Sequence, residues 1–146
     1  MTTRGVLLVH SEGRLLGIPL ADVAEVTDIG AVQAVPTTLP AMRGVTTARG
    51  SLVPLFHLGA LVGGRNCPSA AAAGAGVMVI ARVRGQWVAL EVDDADAAPR
   101  EEVLPAPMES GAEAWSLGAV RRNDAWVPIL NLEALAGRWQ VLEKVS

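Results

Sequence analysis

The sequence predicts an all-β fold made of two similar halves, and three observations carry that reading. Short apolar runs, at residues 6–9, 15–20 and 52–58, recur between turn-forming residues instead of extending into long helical stretches. The chain of 146 residues is 51% hydrophobic and 18% charged, which excludes a disordered chain and suits strands that are apolar on both faces. The segment "GVTTARGSLVPLFHLGAL", residues 44–61, returns as "GAVRRNDAWVPILNLEAL", residues 118–135.

From the amino end, "GVLLVHSEGRLLGIPLADVAEV" reads as a hairpin, with residues 6–9 and 15–20 joined across Ser11, Glu12 and Gly13. Val23, Val26, Ile29 and Val32 fit helical spacing, but β-branched residues beside Gly30 favour further short strands. Pro36 and Pro40 bracket a loop, because proline lacks a donor and restricts the residue before it. Leu52 to Leu58 follows as a strand apolar on both faces, and Pro54 is expected to put it at an edge or bulge. "LGALVGG" is helix-like, and "GGRNCPSAAAAGAG", residues 63–76, reads as an exposed linker or long loop.

What comes after the linker is a second pass. Gly13 and Gly85 are 72 positions apart; Gly44 and Gly118, and Pro54 and Pro128, are 74 apart. A nearly constant offset across several elements is the mark of internal duplication. The expected division is residues 1–68 and 69–146, two subdomains of one domain, with terminal strands open to exchange between them. Copies this short are marginal alone and gain stability by packing together. The last segment, "ALAGRWQVLEKVS", suits helical spacing through Leu135, Trp139 and Leu142 and strand alternation through Trp139, Val141 and Glu143, and both stay open.

Composition also narrows function. Four tryptophans, one phenylalanine and no tyrosine supply few stacking platforms, and a net charge of −3 with no basic run longer than Arg121-Arg122 gives no footprint for a phosphate backbone. Nucleic acid is not an expected partner. No run of 18 apolar residues is present and the first apolar run holds four residues, so the chain reads as cytoplasmic, without membrane insertion or a secretory segment. The single Cys67 permits no internal disulfide.

With "LADVAEV", "GVTTARGSLVPLFHL" and the closing "GAVRRNDAWVPILNLEAL" in view, the chain resembles the CheW family, the adaptors of bacterial chemosensory arrays, over about residues 4–137. The family pattern G-V-x-N-L-R-G-x-x-x-P-V-x-D-L is matched at its glycines, arginine, proline and last leucine. The resemblance implies two five-stranded SH3-like barrels packed side by side, with short helical turns after the proline-containing strands. It implies a noncatalytic adaptor recruited to receptor arrays. The partners would be a chemoreceptor (methyl-accepting protein) cytoplasmic tip, a CheA-type histidine kinase regulatory domain and other CheW-like proteins. No cofactor is implied.

Carried over by position, Arg49 matches the family's motif arginine and Glu25 an acidic residue that pairs with it. Val23, Val45 and Leu52 fall on the implied partner-facing surface, with Gly44 and Gly50 as positions needing positive φ or close backbone approach. The chain departs from the pattern at Thr47 and Ala48, in place of asparagine and leucine, and at His57 in place of aspartate, with Asn131 its counterpart in the second copy. A divergent adaptor that binds receptor or another adaptor but couples poorly to the kinase is the alternative these departures raise.

Catalysis finds thin support. His10 and His57 read as structural, and Cys67 has no neighbouring histidine or helix signal to activate it. "EVDDADAAPREE", residues 91–102, lacks the central glycine of a calcium loop and reads as a solvated edge. "GAGVMVIARVRG", residues 74–85, lacks the third glycine and the helix of a dinucleotide loop. A small β-barrel enzyme or ligand-binding module is the alternative of another class, and a pocket holding a perturbed His57 would favour it.

Overall fold

The computed structural model describes residues 2–37, 39–68, 76–105 and 114–138. Among them lie eleven strands and two short helices: β1 (Thr2–Ser11), β2 (Arg14–Pro19), β3 (Val23–Asp28), β4 (Val32–Gln33), β5 (Met42–Ala48), β6 (Ser51–His57), α1 (Leu58–Gly63), β7 (Val77–Val83), β8 (Gln86–Val92), β9 (Asp94–Val103), β10 (Ser116–Arg122), β11 (Ala125–Leu130) and α2 (Leu132–Leu135). The expected hairpin forms between β1 and β2, with Ser11 inside β1, and β5-β6, β7-β8 and β10-β11 make three more. Their two-residue turns have positive φ at both positions: Glu12 (56°) with Gly13 (77°), Arg49 (53°) with Gly50 (79°), Arg84 (53°) with Gly85 (77°), and Asn123 (48°) with Asp124 (65°). Such turns follow the right-handed twist of the strands they join.

The strands form two sheets, in the orders β10-β11-β2-β1-β9 and β3-β7-β8-β6-β5-β4. In the second of these, the chain from β3 to β4 pairs with β7 at one end and with β5 at the other, so the sheet closes into a barrel, here called the first. In the other sheet, β9 pairs with β1 and runs on to Leu104, which bridges Ala119 of β10 and closes the second barrel. The expected pair of small barrels is therefore present.

Each barrel draws strands from both halves of the sequence. The β1-β2 hairpin stands with β9, β10 and β11, while the β7-β8 hairpin stands with β3 to β6. The exchange is reciprocal and keeps the repeat's spacing: the parallel joints are Leu55 to Ala89 and Gly17 to Ile129, with Ala89 72 positions beyond Gly17 and Ile129 74 beyond Leu55. The boundary at residues 68 and 69 orders the repeat along the chain, and the hydrogen-bonded sheets cut across it.

Burial explains why the strands are apolar on both faces. One small cluster, Ala48, Val53, Leu55, Met78, Ile80 and Ala89, fills the first barrel; a second, Val6, Leu8, Ala98, Val120, Val127 and Ile129, fills the other. The opposite faces join with both helices in one larger core that includes Leu16, Phe56, Leu58, Leu61, Leu90, Leu130 and Leu135. Each fully buried aliphatic or aromatic side chain of this kind contributes about 1.5–3 kcal/mol.

The edge position expected from Pro54 is refined by the topology. β6 is an interior strand between β8 and β5, although Pro54 precedes its first parallel partner residue, Leu55, where β6 pairs with β5 alone. The missing donor therefore faces no ladder on the β8 side. The solvated edge expected of residues 91–102 holds for most of 93–102, in and just before β9, whereas Glu91 and Val92 end the interior strand β8 and are buried. "LGALVGG" does form the helix α1. The linker is described through Pro68 and again from Gly76, and residues 69–75 lie outside the described residues, as do 139–146 of the closing segment; residues 136–138 continue α2 as a short 3-10 turn.

Candidate partner-binding site

The motif arginine sits where turn geometry puts it on show. Arg49 takes the first position of the β5-β6 turn, and its Nη1 lies 3.5 Å from Glu25 Oε1, both side chains 43% exposed. β3 and β5 are not neighbours in the sheet, so this pair reaches across the closure of the first barrel. At this exposure an ion pair contributes about 0–1 kcal/mol.

A third group joins them. The Arg49 guanidinium carbon is 4.9 Å from the centroid of the Trp87 ring, and that of Arg82 is 5.1 Å from the same ring. Arg82 and Trp87 are direct cross-strand partners of the β7-β8 hairpin, in line with Ile80 and Ala89 of the barrel interior. Trp87 packs partly against that interior cluster, so its ring closes the end of the barrel while two guanidiniums cover it. Ala48 belongs to the same cluster where the family pattern has leucine, and the indole supplies bulk beside the smaller side chain.

The remaining positions take different places. Leu52, 73% exposed, stands opposite the exposed Thr47. It borders a cleft of about 330 Å³ lined by Val53, Pro54, Gln86, Trp87 and Val88 among others. Val23 packs half-buried against the central core, and Val45 lies half-buried opposite Pro54. β3 and β5, which carry them, are separated by β7, β8 and β6 in the sheet. Gly50 is the second turn residue. Gly44 is buried at a bulge with φ 154°, where an added Cβ would stand 2.4 Å from the carbonyl oxygen of Gln33; its role is close approach of β4. The structure thus gathers Glu25, Arg49, Gly50, Thr47 and Leu52 at one end of the first barrel and leaves Val23, Gly44 and Val45 in packing positions.

His57 has a local task. It ends β6, is 7% exposed, and its Nδ1 accepts the Ala60 backbone N–H at 3.1 Å, capping α1. Asn131 Oδ1 caps α2 in the same way from Ala134 at 3.2 Å. The departure from aspartate therefore exchanges one buried cap for another and removes no exposed charge. Burial holds the His57 pKa below its ordinary value, against the opposing pull of Glu91, Glu12 and Asp93. His57 lines neither of the clefts described here.

Sequence reasoning missed Trp87 and Arg82, although a tryptophan placed across a two-residue turn from an arginine was a legible cross-strand pair. It also missed a buried ion pair. Arg43 Nε donates to Glu91 Oε1 at 3.0 Å, with side-chain exposures of 9% and 7%. Arg43 also donates to the Pro68 carbonyl, tying the start of the linker to the barrel. A further cleft of about 280 Å³ has Asp22, Arg82, Leu117, Leu132 and Glu133 in its walls, and burial raises the Asp22 pKa. Among the described residues no group of three or more His, Cys, Asp or Glu could hold a metal ion, and no helix is long and apolar enough to cross a membrane.

A family model described as the CheW-like domain matches residues 5–139, nearly the whole chain. The chain belongs to the CheW-like family. Among solved structures, the crystal structure of the scaffolding protein TtCheW from Thermoanaerobacter tengcongensis is similar to it, with a TM-score of 0.76, 22% identity and 92% of each chain covered. At that identity the likeness is one of fold. No curated protein matches the chain significantly. The CheW-like assignment accounts for the paired barrels, the repeated proline strands and the arginine in its turn.

Proposed function

We propose that this chain is a noncatalytic cytoplasmic adaptor that links a chemoreceptor's cytoplasmic hairpin to a sensor histidine kinase within a receptor array. The carrying observation is the family match over residues 5–139 together with the exposed constellation of Glu25, Arg49 and Leu52 at one end of the first barrel. An exposed aliphatic side chain beside a charged pair is the arrangement of an apolar anchor with a polar rim, the division of labour by which protein surfaces gain affinity and register. Val23, Gly44, Val45 and Gly50 belong to this reading as the framework that sets the turn and the strand.

The test is titration of the purified protein with a receptor cytoplasmic hairpin and, in the same format, with the regulatory domain of the cognate kinase, with Arg49→Ala alongside. The adaptor binds both, and Arg49→Ala weakens at least one by about tenfold, as loss of an interfacial charge does. Arg49→Ala binding both partners as the wild type does, with unchanged melting, removes Arg49 from the site. A second reading, the divergent adaptor, draws support from Thr47, exposed beside Leu52 where the family pattern has asparagine. It predicts binding to the receptor without the kinase.

A further inference from the structure

We propose that Trp87 and Arg82 form a seat for an acidic peptide segment of the protein partner, a partner carboxylate meeting Arg82 while an adjacent aliphatic side chain enters the cleft between Leu52 and Trp87. The inference names the partner chemistry of the surface above and rests on the adaptor reading for which protein supplies the segment.

The two guanidiniums on Trp87 are not equivalent. Arg49 has a carboxylate, Glu25 at 3.5 Å; Arg82 has none within ion-pair distance among the described residues. A guanidinium held over an aromatic ring keeps N–H donors for a carboxylate, which it can meet in bidentate fashion. Arg82 is exposed and held by its cross-strand partner, so a ligand carboxylate would meet a donor fork already restricted in its rotamers.

Arg82 itself borders the cleft of about 280 Å³, and Trp87 links it to the cleft of about 330 Å³, where Leu52 and Pro54 stand with the polar Ser51 and Gln86. Leu52 leaves 73% of its surface outside any contact of this chain. Trp87 belongs to both features, as the platform under Arg82 and as a wall of the cleft, so carboxylate and aliphatic group are recognised side by side. Excess positive charge at this spot on a protein of net charge −3 selects an acidic occupant. One such cation beside a cleft that holds an exposed leucine suits a peptide; a nucleic acid backbone asks for a row of them.

The test uses the full chain and two synthetic helical peptides, identical except that one carries glutamate next to a leucine and the other glutamine. The glutamate peptide binds about tenfold more tightly at low ionic strength and loses that advantage as salt is raised. Arg82→Gln abolishes the preference, Arg82→Lys restores part of it, and Trp87→Leu weakens both peptides. Equal binding of the two peptides, binding of neither, or a preference that survives Arg82→Gln overturns the seat. Because Arg82 is exposed, its variants keep the test valid even if Trp87→Leu fails to fold. The same variants titrated with receptor hairpin and kinase domain separate the two ideas. Wild-type binding to both proteins that Arg82→Gln and Trp87→Leu leave untouched sinks the seat and spares the adaptor; peptide discrimination without binding to either protein sinks the adaptor and spares the seat.

Discussion

At the scale of single residues, His57 shows how a position can change chemistry and keep its task. As a cap it must accept through Nδ1, which a protonated ring cannot do, and burial already disfavours the charged form. The folded-state pKa thus lies below the ordinary 6.5, and the unfolded chain binds the proton more readily. The contribution of His57 is complete above pH 6.5 and is lost as pH falls through the folded value. Denaturant unfolding followed from pH 7.5 to 5 shows declining stability, and His57→Asn, which copies the cap at Asn131, flattens that decline. Glu12 acts in a separate, more acidic window, because its hydrogen bond with Arg65 lowers its pKa and its contribution fades as pH drops below the ordinary 4.5. Arg43 and Glu91 make the complementary case of a buried pair. Arg43→Ala leaves a buried carboxylate unmatched and costs about 3–5 kcal/mol, whereas Arg43→Met with Glu91→Leu stays close to the wild type. Equal losses in single and double variants, measured by chemical denaturation, would contradict this account.

At the scale of elements, closure of each barrel depends on a glycine in a strand. Gly44 and Gly118 sit at equivalent bulges, and a Cβ on either would press into a carbonyl oxygen of the closing segment, Gln33 at 2.4 Å or Leu104 at 2.6 Å. Gly118→Ala therefore weakens the β9-β10 closure and Gly44→Ala the β4-β5 closure, each by at least about 1–3 kcal/mol from backbone strain, with the steric push in addition. Hydrogen exchange places the loss: the amides of Leu104 and Ala119, which pair with each other's carbonyls at 2.9 and 2.7 Å, lose protection in Gly118→Ala while those of β7 and β8 keep theirs. Uniform loss across both barrels would mean that closure is not a local event. The sequence offered Gly44 only as a turn or close-approach residue and Gly118 only as its counterpart in the repeat, since a bulge depends on which backbone arrives opposite.

At the scale of the whole molecule, reciprocal exchange of hairpins makes the two halves of the repeat incomplete without each other. A fragment of residues 1–68 holds the β1-β2 hairpin without the second barrel, and β3 to β6 without β7 and β8. Such a fragment stays unfolded by circular dichroism, as does residues 69–146, and mixing the two restores the cooperative transition of the intact chain. Independent folding of either fragment would show that the sheets can rearrange within one half. Shared structure of this kind also ties the candidate site to both repeats, because Arg49 and Leu52 come from the first and Arg82 and Trp87 from the second.

By itself the sequence determined the local and repetitive features: the first hairpin, the short strands apolar on both faces, the duplication and the place of Arg49 beside a glycine. These follow from backbone sterics and from the period of side chains along a strand, which neighbouring residues specify. Tertiary structure alone decided that the hairpins change places, that Arg49 covers Trp87 as well as pairing with Glu25, and that Arg43 meets Glu91 inside the fold. Those contacts join residues tens of positions apart. They depend on which sheet edge each hairpin finds, and that choice is made by the burial of one shared apolar core between two small barrels.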